Sequence, residues 1–290
     1  MPICPYDVLL QRARVGNYAV GAFNVFAMEF LPTILEAAEE EQAPILLQIA
    51  PIHFYLMDVP HYVQYVKSQI VKCTVPVGLH LDHGKSEEII LKGIQAGFPS
   101  VMFDGSRFSF EENVRRTRQV VEMCHQVGVT VEAELGTLND EAVEWNTENR
   151  QKWMTDPQAA GQFVRETGVD ALAVSIGNAH GIYKGTPKLD FPRLRAIRDA
   201  VPVPLVLHGG SGLSEDDFRK AILCGINKIN IYTDMSVAAS QQAKAILIAS
   251  ELPVDYPTIL FQARQAVKQV VREKIRIFNR TLSSPPGTRK

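Results

Sequence analysis

The sequence predicts an α/β protein built as a (βα)8 barrel, also called a TIM barrel. Three observations support this prediction. Short apolar segments of strand type alternate with helical segments, eight such strands are counted, and the connections between most of them are short. An open doubly wound sheet is the structural alternative, and the strand count and short connections favour the closed barrel.

The individual elements follow from local composition and periodicity. The pair Asp156-Pro157 is typical of a helix start, since the carboxylate caps the helix and proline suits its first position. The predicted strands are residues 18–23, 45–49, 77–81, 100–103, 130–135, 171–176, 205–207 and 228–231. The predicted helices are residues 29–41, a segment ending at 72, 86–96, 111–126, 157–167, 191–200, 215–224 and most of the chain after 231.

Bulk composition predicts one domain and excludes some partners. The chain has 290 residues, of which 46% are apolar, which is enough for a large core. We expect a single barrel domain with C-terminal helices over residues 1–282. Residues 283–290, rich in Ser, Pro, Gly and basic side chains, are expected to be a disordered tail. The net charge of −2 provides no basic field for nucleic acid.

Cysteine usage and hydropathy predict a cytoplasmic protein. The four cysteines are far apart and form no Cys-x-x-Cys pair, which argues against a disulfide framework or a thiolate metal site. The N-terminal residues show no basic-then-apolar signal pattern. No apolar run reaches the roughly 18 residues of a membrane span. We therefore expect no membrane partner.

Three histidines at strand ends predict a metal centre. Catalytic residues of this fold lie at the C-terminal ends of the strands, where the sequence places His83, His180 and His208 beside glycines. Three imidazoles with an open position form a catalytic zinc site. Asp104 and Glu134, also at strand ends, are expected to bind a second or displaced metal position or to hold the histidines. His80, inside strand three, is expected to orient a ligand. Any one of these histidines, taken alone, is more simply explained as a hydrogen-bonded surface or core residue that binds no metal.

Asp82 stands directly before His83 at the end of the third strand. A carboxylate beside an imidazole at this place indicates an acid/base group of a metal-dependent site. The alternative is a structural role, in which Asp82 caps the helix that follows from Ser86.

The loops after strands seven and eight predict a phosphate site. In this fold these loops commonly bind phosphate through backbone N–H groups and a helix N-terminus. Lys184 would add a point charge, unless it is simply a solvated lysine. The loop residues are Gly209, Gly210 and Ser211 after strand seven and Asn230, Ile231, Tyr232 and Thr233 around the end of strand eight.

A set of short motifs resembles the class II, metal-dependent ketose-bisphosphate aldolases. The likeness extends from about Asn24 to Asn279, and the tagatose-bisphosphate branch is closest in length and spacing. The motifs are His-Leu-Asp-His-Gly at 80–84, Phe-Asp-Gly-Ser at 103–106, Phe-Glu-Glu-Asn at 110–113, Glu-Ala-Glu-Leu-Gly at 132–136, Ile-Gly-Asn-Ala-His-Gly at 176–181, His-Gly-Gly-Ser-Gly at 208–212 and Lys-Ile-Asn at 228–230.

The resemblance implies a lyase that cleaves a ketose phosphate into dihydroxyacetone phosphate and an aldehyde. It implies Zn²⁺ bound by the three histidines, with Asp104 and Glu134 around an alternate metal position. Asp82 would exchange a proton with the C4 hydroxyl. A monovalent cation, Na⁺ or K⁺, would bind to nearby backbone carbonyls, and the subunits would form homodimers or homotetramers. The implied substrate-binding residues are Asn24, Gly181, Lys184, Gly209, Gly210, Ser211, Asn230, Ile231, Tyr232 and Thr233.

Three segments depart from the family pattern. The loop at residues 137–144 lacks the glycine pair of the family. Within this loop Glu141, or else Glu144, would supply the carboxylate that enolises the donor. After strand two, residues 48–53 replace a small, hydroxyl-rich phosphate turn, and Tyr232 replaces a small or acidic residue. The family implies fructose or tagatose 1,6-bisphosphate as substrate. These changes favour another aldehyde, such as a sugar acid or a longer sugar.

Other classes fit the sequence less well. A metal-dependent hydrolase of this fold needs His-x-His after strand one, where this chain has Phe23-Asn-Val-Phe26. A Schiff-base aldolase needs an interior lysine, whereas Lys228 is expected to open strand eight. A non-catalytic partner subunit would have lost metal ligands or the acid, and this chain keeps them.

Overall fold

The computed structural model describes residues 3–136, 153–179, 181 and 187–279. Eight parallel strands form a closed barrel in which each strand pairs with the next and β8 pairs with β1. This confirms the (βα)8 prediction. The strands β1 to β8 are Val20–Asn24, Ile45–Ile49, Val77–Gly84, Ser100–Phe103, Thr130–Leu135, Ala171–Val174, Leu205–Leu207 and Ile226–Ile231.

Helices surround the barrel, and several of them begin at a side-chain cap. Ser86, Ser109 and Asp156 each accept a hydrogen bond from a backbone N–H in the first turn of the helix that follows. A 3-10 helix at Pro51–Leu56 follows β2. The described helices, α1 to α10, are Tyr6–Gly16, Phe30–Glu40, Val59–Ile70, Glu87–Ala96, Phe110–His125, Pro157–Thr167, Phe191–Ala200, Glu215–Leu223, Thr233–Ala249 and Tyr256–Phe278.

Helix α1 is absent from the predicted elements. Its buried residues Tyr6, Leu9, Leu10 and Ala13 have the spacing of a helix face, so the signal was present in the sequence. These side chains form an apolar cluster with residues of β1, β2, β6 and β7. The helix therefore covers the end of the barrel opposite the site described below.

Strand β3 continues past the predicted end and carries the first functional residues. It ends at Gly84, so Asp82 and His83 lie within the strand. Its register with β4 shifts between Leu81 and Gly84, and His83 has φ of 50°. Such a bulge re-aims a side chain at a strand end. Because Ser86 caps α4, the alternative role of Asp82 as a helix cap is wrong.

Strand β8 corrects the prediction for Lys228. The strand begins at Ile226, so Lys228 is its third residue, and the side chain is fully buried against Glu132. The prediction that Lys228 opens the strand, used against a Schiff-base reaction, is therefore wrong. Lys228 does lie inside the barrel, where its ammonium group is held in an ion pair.

No helix in the described ranges is long and apolar enough to span a membrane. The predicted tail at 283–290 lies outside the described residues, and the single-domain division stays a prediction.

Candidate active site

The carboxylate of Asp82 is held between two asparagines at the C-terminal end of the barrel. Asn24 Nδ2 donates to Oδ2 at 3.0 Å, and Asn230 Nδ2 donates to Oδ1 at 3.0 Å. Gln48 Nε2 donates to Asn24 Oδ1 at 2.8 Å, which fixes the amide so that its nitrogen faces Asp82. Three neighbouring strands, β8, β1 and β2, thus supply the amides that orient the carboxylate of β3.

Asp82 is ionised in this environment. Burial raises its pKa, but the positive charges of His83, Lys228 and His208 and the hydrogen bond from Asn24 together lower the pKa to about 2. A carboxylate that is ionised and 3% exposed can accept a proton from a bound hydroxyl group.

His83 and His208 converge beside Asp82. Their rings lie 4.6 Å apart, centroid to centroid, at 65°. His83 Nδ1 lies 3.2 Å from Asp104 Oδ2, while Asp104 Oδ1 accepts hydrogen bonds from the backbone and hydroxyl of Ser106. Asp104 is thereby fixed and in turn orients the His83 ring. Burial lowers the pKa of His83, and Asp82 and Asp104 raise it, with a net upward shift.

His208 is fully buried between two glutamates of β5. Its Nε2 lies 2.8 Å from Glu132 Oε1, and its Nδ1 lies 3.2 Å from Glu134 Oε2. Burial lowers the pKa of His208, but the hydrogen bonds to Glu132 and Glu134 raise it to about 10. Burial and the adjacent Asp104 raise the pKa of Glu134. The site therefore attracts positive charge.

The donor set fits a divalent metal ion. Two groups have ligand atoms within 4.8 Å of one another: Asp82 with His83 and His208, and His83 with Asp104 and Glu134. Imidazole nitrogen and carboxylate oxygen are ligands that zinc accepts. All four buried acidic residues of the described chain lie here, namely Asp82, Asp104, Glu132 and Glu134. Lys228 is the buried lysine facing them, so a cation would reduce the remaining negative charge.

The turn after β7 brings two stretches of backbone into contact. Gly209 has φ of 62°, and a Cβ at this position would lie 2.1 Å from the carbonyl oxygen of Ala179. At Gly210 a Cβ would lie 3.0 Å from Ile229 Cγ2. Ser211 Oγ accepts a hydrogen bond from the backbone N–H of Asp234 at 3.2 Å, which joins the turn to the start of α9. This arrangement suits a phosphate cradle.

Replacing Gly209 by Ala is expected to disrupt this turn. The methyl group would collide with the Ala179 carbonyl, and a positive φ adds about 1–2 kcal/mol of strain. We expect a lower melting temperature and a higher KM for a phosphorylated donor, measured by calorimetry and steady-state kinetics. Gly128→Ala is the control, because Gly128 also has positive φ but no atom of the described chain lies within 4 Å of the added Cβ. An equal loss in both variants would contradict a role for close backbone packing.

The remaining predicted substrate-binding residues differ in what they present to the site. Ile231 is fully buried, and its side chain packs in the outer core, so only its backbone faces the site. Thr233 is the first residue of α9. Gly181 has φ of 81°, and no atom of the described residues lies within 4 Å of a Cβ added there. His180, Lys184, Glu141 and Glu144 lie outside the described residues, and their roles stay predictions.

Tyr232 belongs to an aromatic cluster at the mouth of the barrel. Its ring lies 5.4 Å from that of Phe26, edge to face, and 5.2 Å from that of His53 in the 3-10 helix. His53 is 6% exposed, and its Nδ1 has no hydrogen-bond partner in the described part of the chain. Burial lowers its pKa, whereas Asp82 raises it, with a net downward shift. We name Phe26, His53 and Tyr232 the mouth cluster.

Sequence analysis assigned no role in the site to four residues that the structure places there: Gln48, His53, Glu132 and Lys228. Two of them had a signal. Glu132 precedes Glu134 by two residues and Lys228 precedes Asn230 by two, so each pair shares the inward face of its strand. Gln48 is a lone polar residue in an apolar strand. Nothing in the local sequence indicates that His53 turns inward.

Comparisons with known proteins agree with this geometry. Residues 5–282 match the family model of class II fructose-bisphosphate aldolase. The YdjI aldolase of Escherichia coli K12 is 38% identical over 95% of this chain and 97% of its own, with a TM-score of 0.85. A candidate fructose-1,6-bisphosphate aldolase from Coccidioides immitis is 31% identical over 94% of this chain and 96% of its own, with a TM-score of 0.83.

A fructose-bisphosphate aldolase of Campylobacter jejuni has a TM-score of 0.80 over 96% of both chains, and at 21% identity this likeness shows the fold alone. The family model covers nearly the whole chain and includes every described residue of the site. The chain therefore belongs to the class II fructose-bisphosphate aldolase family of lyases, which catalyse aldol cleavage.

Proposed function

We propose that this enzyme reversibly cleaves a ketose phosphate into dihydroxyacetone phosphate and an aldehyde, with Zn²⁺ as its metal. The observation that carries the proposal is the placement of an ionised Asp82 beside the converging rings of His83 and His208. A role as a non-catalytic partner subunit has less support, because the acid/base group and both described imidazoles are present and oriented.

His83 and His208 would hold the metal together with the predicted ligand His180. Asp104 and Glu134 would supply oxygen ligands at an alternate position, since they share a second cluster with His83. Bound zinc would polarise the substrate carbonyl as a Lewis acid. A monovalent cation near the Ala179 and Gly209 backbone is part of the same proposal.

Asp82 would move the proton at the C4 hydroxyl. As an ionised carboxylate it accepts this proton during cleavage and returns it to the aldehyde oxygen during condensation. Asn24 and Asn230 keep its oxygens in one orientation, so the carboxylate need not rearrange in either direction. Glu141 is the proposed base at the donor carbon, with Glu144 as the alternative.

The donor phosphate would bind on the β7 and β8 side of the barrel. Gly209, Gly210 and Ser211 present backbone next to the N-terminus of α9, whose partial positive charge favours an anion. Asn230 and the backbone of residues 231–233 continue this surface. Gly181 and Lys184 are predicted to complete it.

The acceptor aldehyde would then extend over β1 and β2, toward the mouth cluster. The segments that follow β8, β1 and β2, residues 232–236, 24–29 and 50–58, contain no Lys or Arg but do contain Glu29, Asp58 and Asp234. Lys274 lies beside this surface but is paired with Asp234 at 2.8 Å. The segments themselves offer no cationic partner, which a second phosphate needs. Aromatic faces and one imidazole suit a hydroxylated chain. We therefore propose an acceptor other than a phosphorylated triose, with fructose and tagatose 1,6-bisphosphate as the alternative substrates.

Condensation of dihydroxyacetone phosphate with a panel of aldehydes tests this choice. We expect glyceraldehyde and longer aldoses to exceed glyceraldehyde 3-phosphate at least about tenfold in kcat/KM, corresponding to roughly 1.4 kcal/mol of transition-state stabilisation. Uronic-acid aldehydes in the same panel test the sugar-acid alternative. A marked preference for glyceraldehyde 3-phosphate would contradict the proposal and favour a bisphosphate aldolase.

The proposed assembly is a homodimer or homotetramer in the cytoplasm. Apolar side chains are exposed at the end of α9 and the start of α10, and an exposed apolar surface of this kind commonly marks a contact between proteins. Light scattering coupled to gel filtration would show a single species of two or four subunits. The exposed residues are Leu247, Ile248, Leu252, Tyr256 and Phe261.

A further inference from the structure

A chain of buried polar groups connects helix α1 to the metal site through the barrel interior. It consists of Tyr6 on α1, Lys228 on β8, Glu132 on β5 and His208 after β7. Lys228, Glu132 and His208 are fully buried, and Tyr6 is 2% exposed. Burying an ion pair costs desolvation energy that apolar packing would avoid. The ion pair between Lys228 and Glu132 lies directly behind His208, a proposed metal ligand, and this position requires a functional reason for its cost.

Glu132 uses its two oxygens for different partners. Lys228 Nζ donates to Oε2 at 2.8 Å, and the Tyr6 hydroxyl also donates to Oε2. Oε1 remains for His208 Nε2, at 2.8 Å. With Oε2 held by two donors, the carboxylate has one orientation. It then accepts the His208 proton at Nε2 and leaves Nδ1 as the nitrogen that faces Glu134.

His80 does not replace Lys228 or Tyr6 as a hydrogen-bond donor to Glu132. The Ser100 hydroxyl donates to the Leu79 carbonyl, so His80 Nδ1 must donate to Ser100 Oγ. His80 Nε2 lies 3.7 Å from Glu132 Oε2, which is too far for a hydrogen bond. The His80 ring instead stacks on Tyr6, with centroids 4.9 Å apart. The stacking holds Tyr6 in place beneath Glu132.

We propose that Tyr6 and Lys228 are positioning residues that fix Glu132, so that His208 presents Nδ1 to the catalytic metal. The proposal rests on the metal site of the proposed function. It assigns helix α1 a role in metal binding, although α1 covers the far end of the barrel. Neither residue touches the metal or the substrate.

Tyr6→Phe and Lys228→Met test the proposal. Tyr6→Phe keeps the ring and its stacking on His80 but removes the donor. Its matched control is Tyr62→Phe, because Tyr62 is also buried and its hydroxyl has no hydrogen-bond partner in the residues described. For each protein we would measure the zinc dissociation constant by chelator competition, the visible spectrum with Co²⁺, and the melting temperature without metal.

We expect Tyr6→Phe to weaken zinc binding about tenfold and Lys228→Met to weaken it further, as is typical when the partner of a ligating histidine is disturbed. The Co²⁺ spectrum should change in both, while Tyr62→Phe keeps the wild-type affinity and spectrum. If Lys228→Met does not fold, Tyr6→Phe decides the test.

Two results would overturn the inference. One is wild-type zinc affinity and an unchanged Co²⁺ spectrum in Tyr6→Phe. The other is a loss of affinity equal to that in Tyr62→Phe, which would indicate general destabilisation. Failure of the wild-type protein to bind zinc is a different outcome, since it would overturn the proposed metal site itself.

Discussion

Replacing Asp82 by Asn is expected to lower kcat by roughly 10²–10⁴-fold, the range typical for loss of a general acid/base. The amide has nearly the shape of the carboxylate but cannot accept the hydroxyl proton at neutral pH. Asn24 and Asn230 both donate hydrogen bonds to Asp82. The new amide would turn its own N–H group toward one of these donors, and that hydrogen bond would be lost. Zinc should remain bound, because the imidazoles are unchanged.

Steady-state cleavage and metal content are the measurements for Asp82→Asn. Asp199→Asn is the matched control, because Asp199 is exposed at the end of α7, where it pairs with the neighbouring Arg198. A loss of activity smaller than tenfold, with zinc retained, would show that another group moves the proton. A loss of zinc would show that Asp82 acts mainly as a ligand.

Replacing His208 by Ala is expected to remove both the metal and the activity. The change deletes one predicted ligand and leaves Glu132 and Glu134 without the imidazole that faces them. We expect zinc affinity to fall at least about 100-fold and activity to reach background. Metal analysis after dialysis and an activity assay with excess zinc would measure these effects.

The control for His208→Ala is His61→Ala, since His61 is a highly exposed residue of α3. It should keep full zinc content and activity. If His208→Ala retained stoichiometric zinc of wild-type affinity, the assignment of His208 as a ligand would be wrong. Activity restored by excess zinc would show instead that the residue contributes affinity alone.

Local sequence predicted the elements of the barrel wherever one physical signal dominated. Strands β2, β4, β5 and β7 have the predicted bounds. Strands β2, β4 and β7 are short, largely apolar runs, and β5 alternates polar with apolar residues. Where polar residues interrupted the apolar pattern of a strand, the observed ends of the strand differ from the predicted ends. Strand β3 continues through a bulge that polar residues concealed, and β8 begins two residues before its predicted start because the polar Asn227 interrupts the apolar pattern.

The candidate site was predictable where a residue stands at a strand end and carries unusual chemistry, as Asp82, His83 and His208 do. The supporting groups were harder to find. Lys228 and Glu132 are 96 residues apart, and their contact depends on barrel closure. The inward turn of His53 depends on how the 3-10 helix packs against Tyr232. The Lys228–Glu132 contact and the orientation of His53 both depend on tertiary geometry, which the periodicity of the sequence does not encode.

The most direct test of the account is solvent exchange of the C1 proton of dihydroxyacetone phosphate, followed by NMR in D₂O. The assay needs no knowledge of the aldehyde. We predict exchange that stops when a chelator removes the metal and returns when Zn²⁺ is added. Absence of exchange in protein with zinc bound at stoichiometry would contradict the proposed donor chemistry.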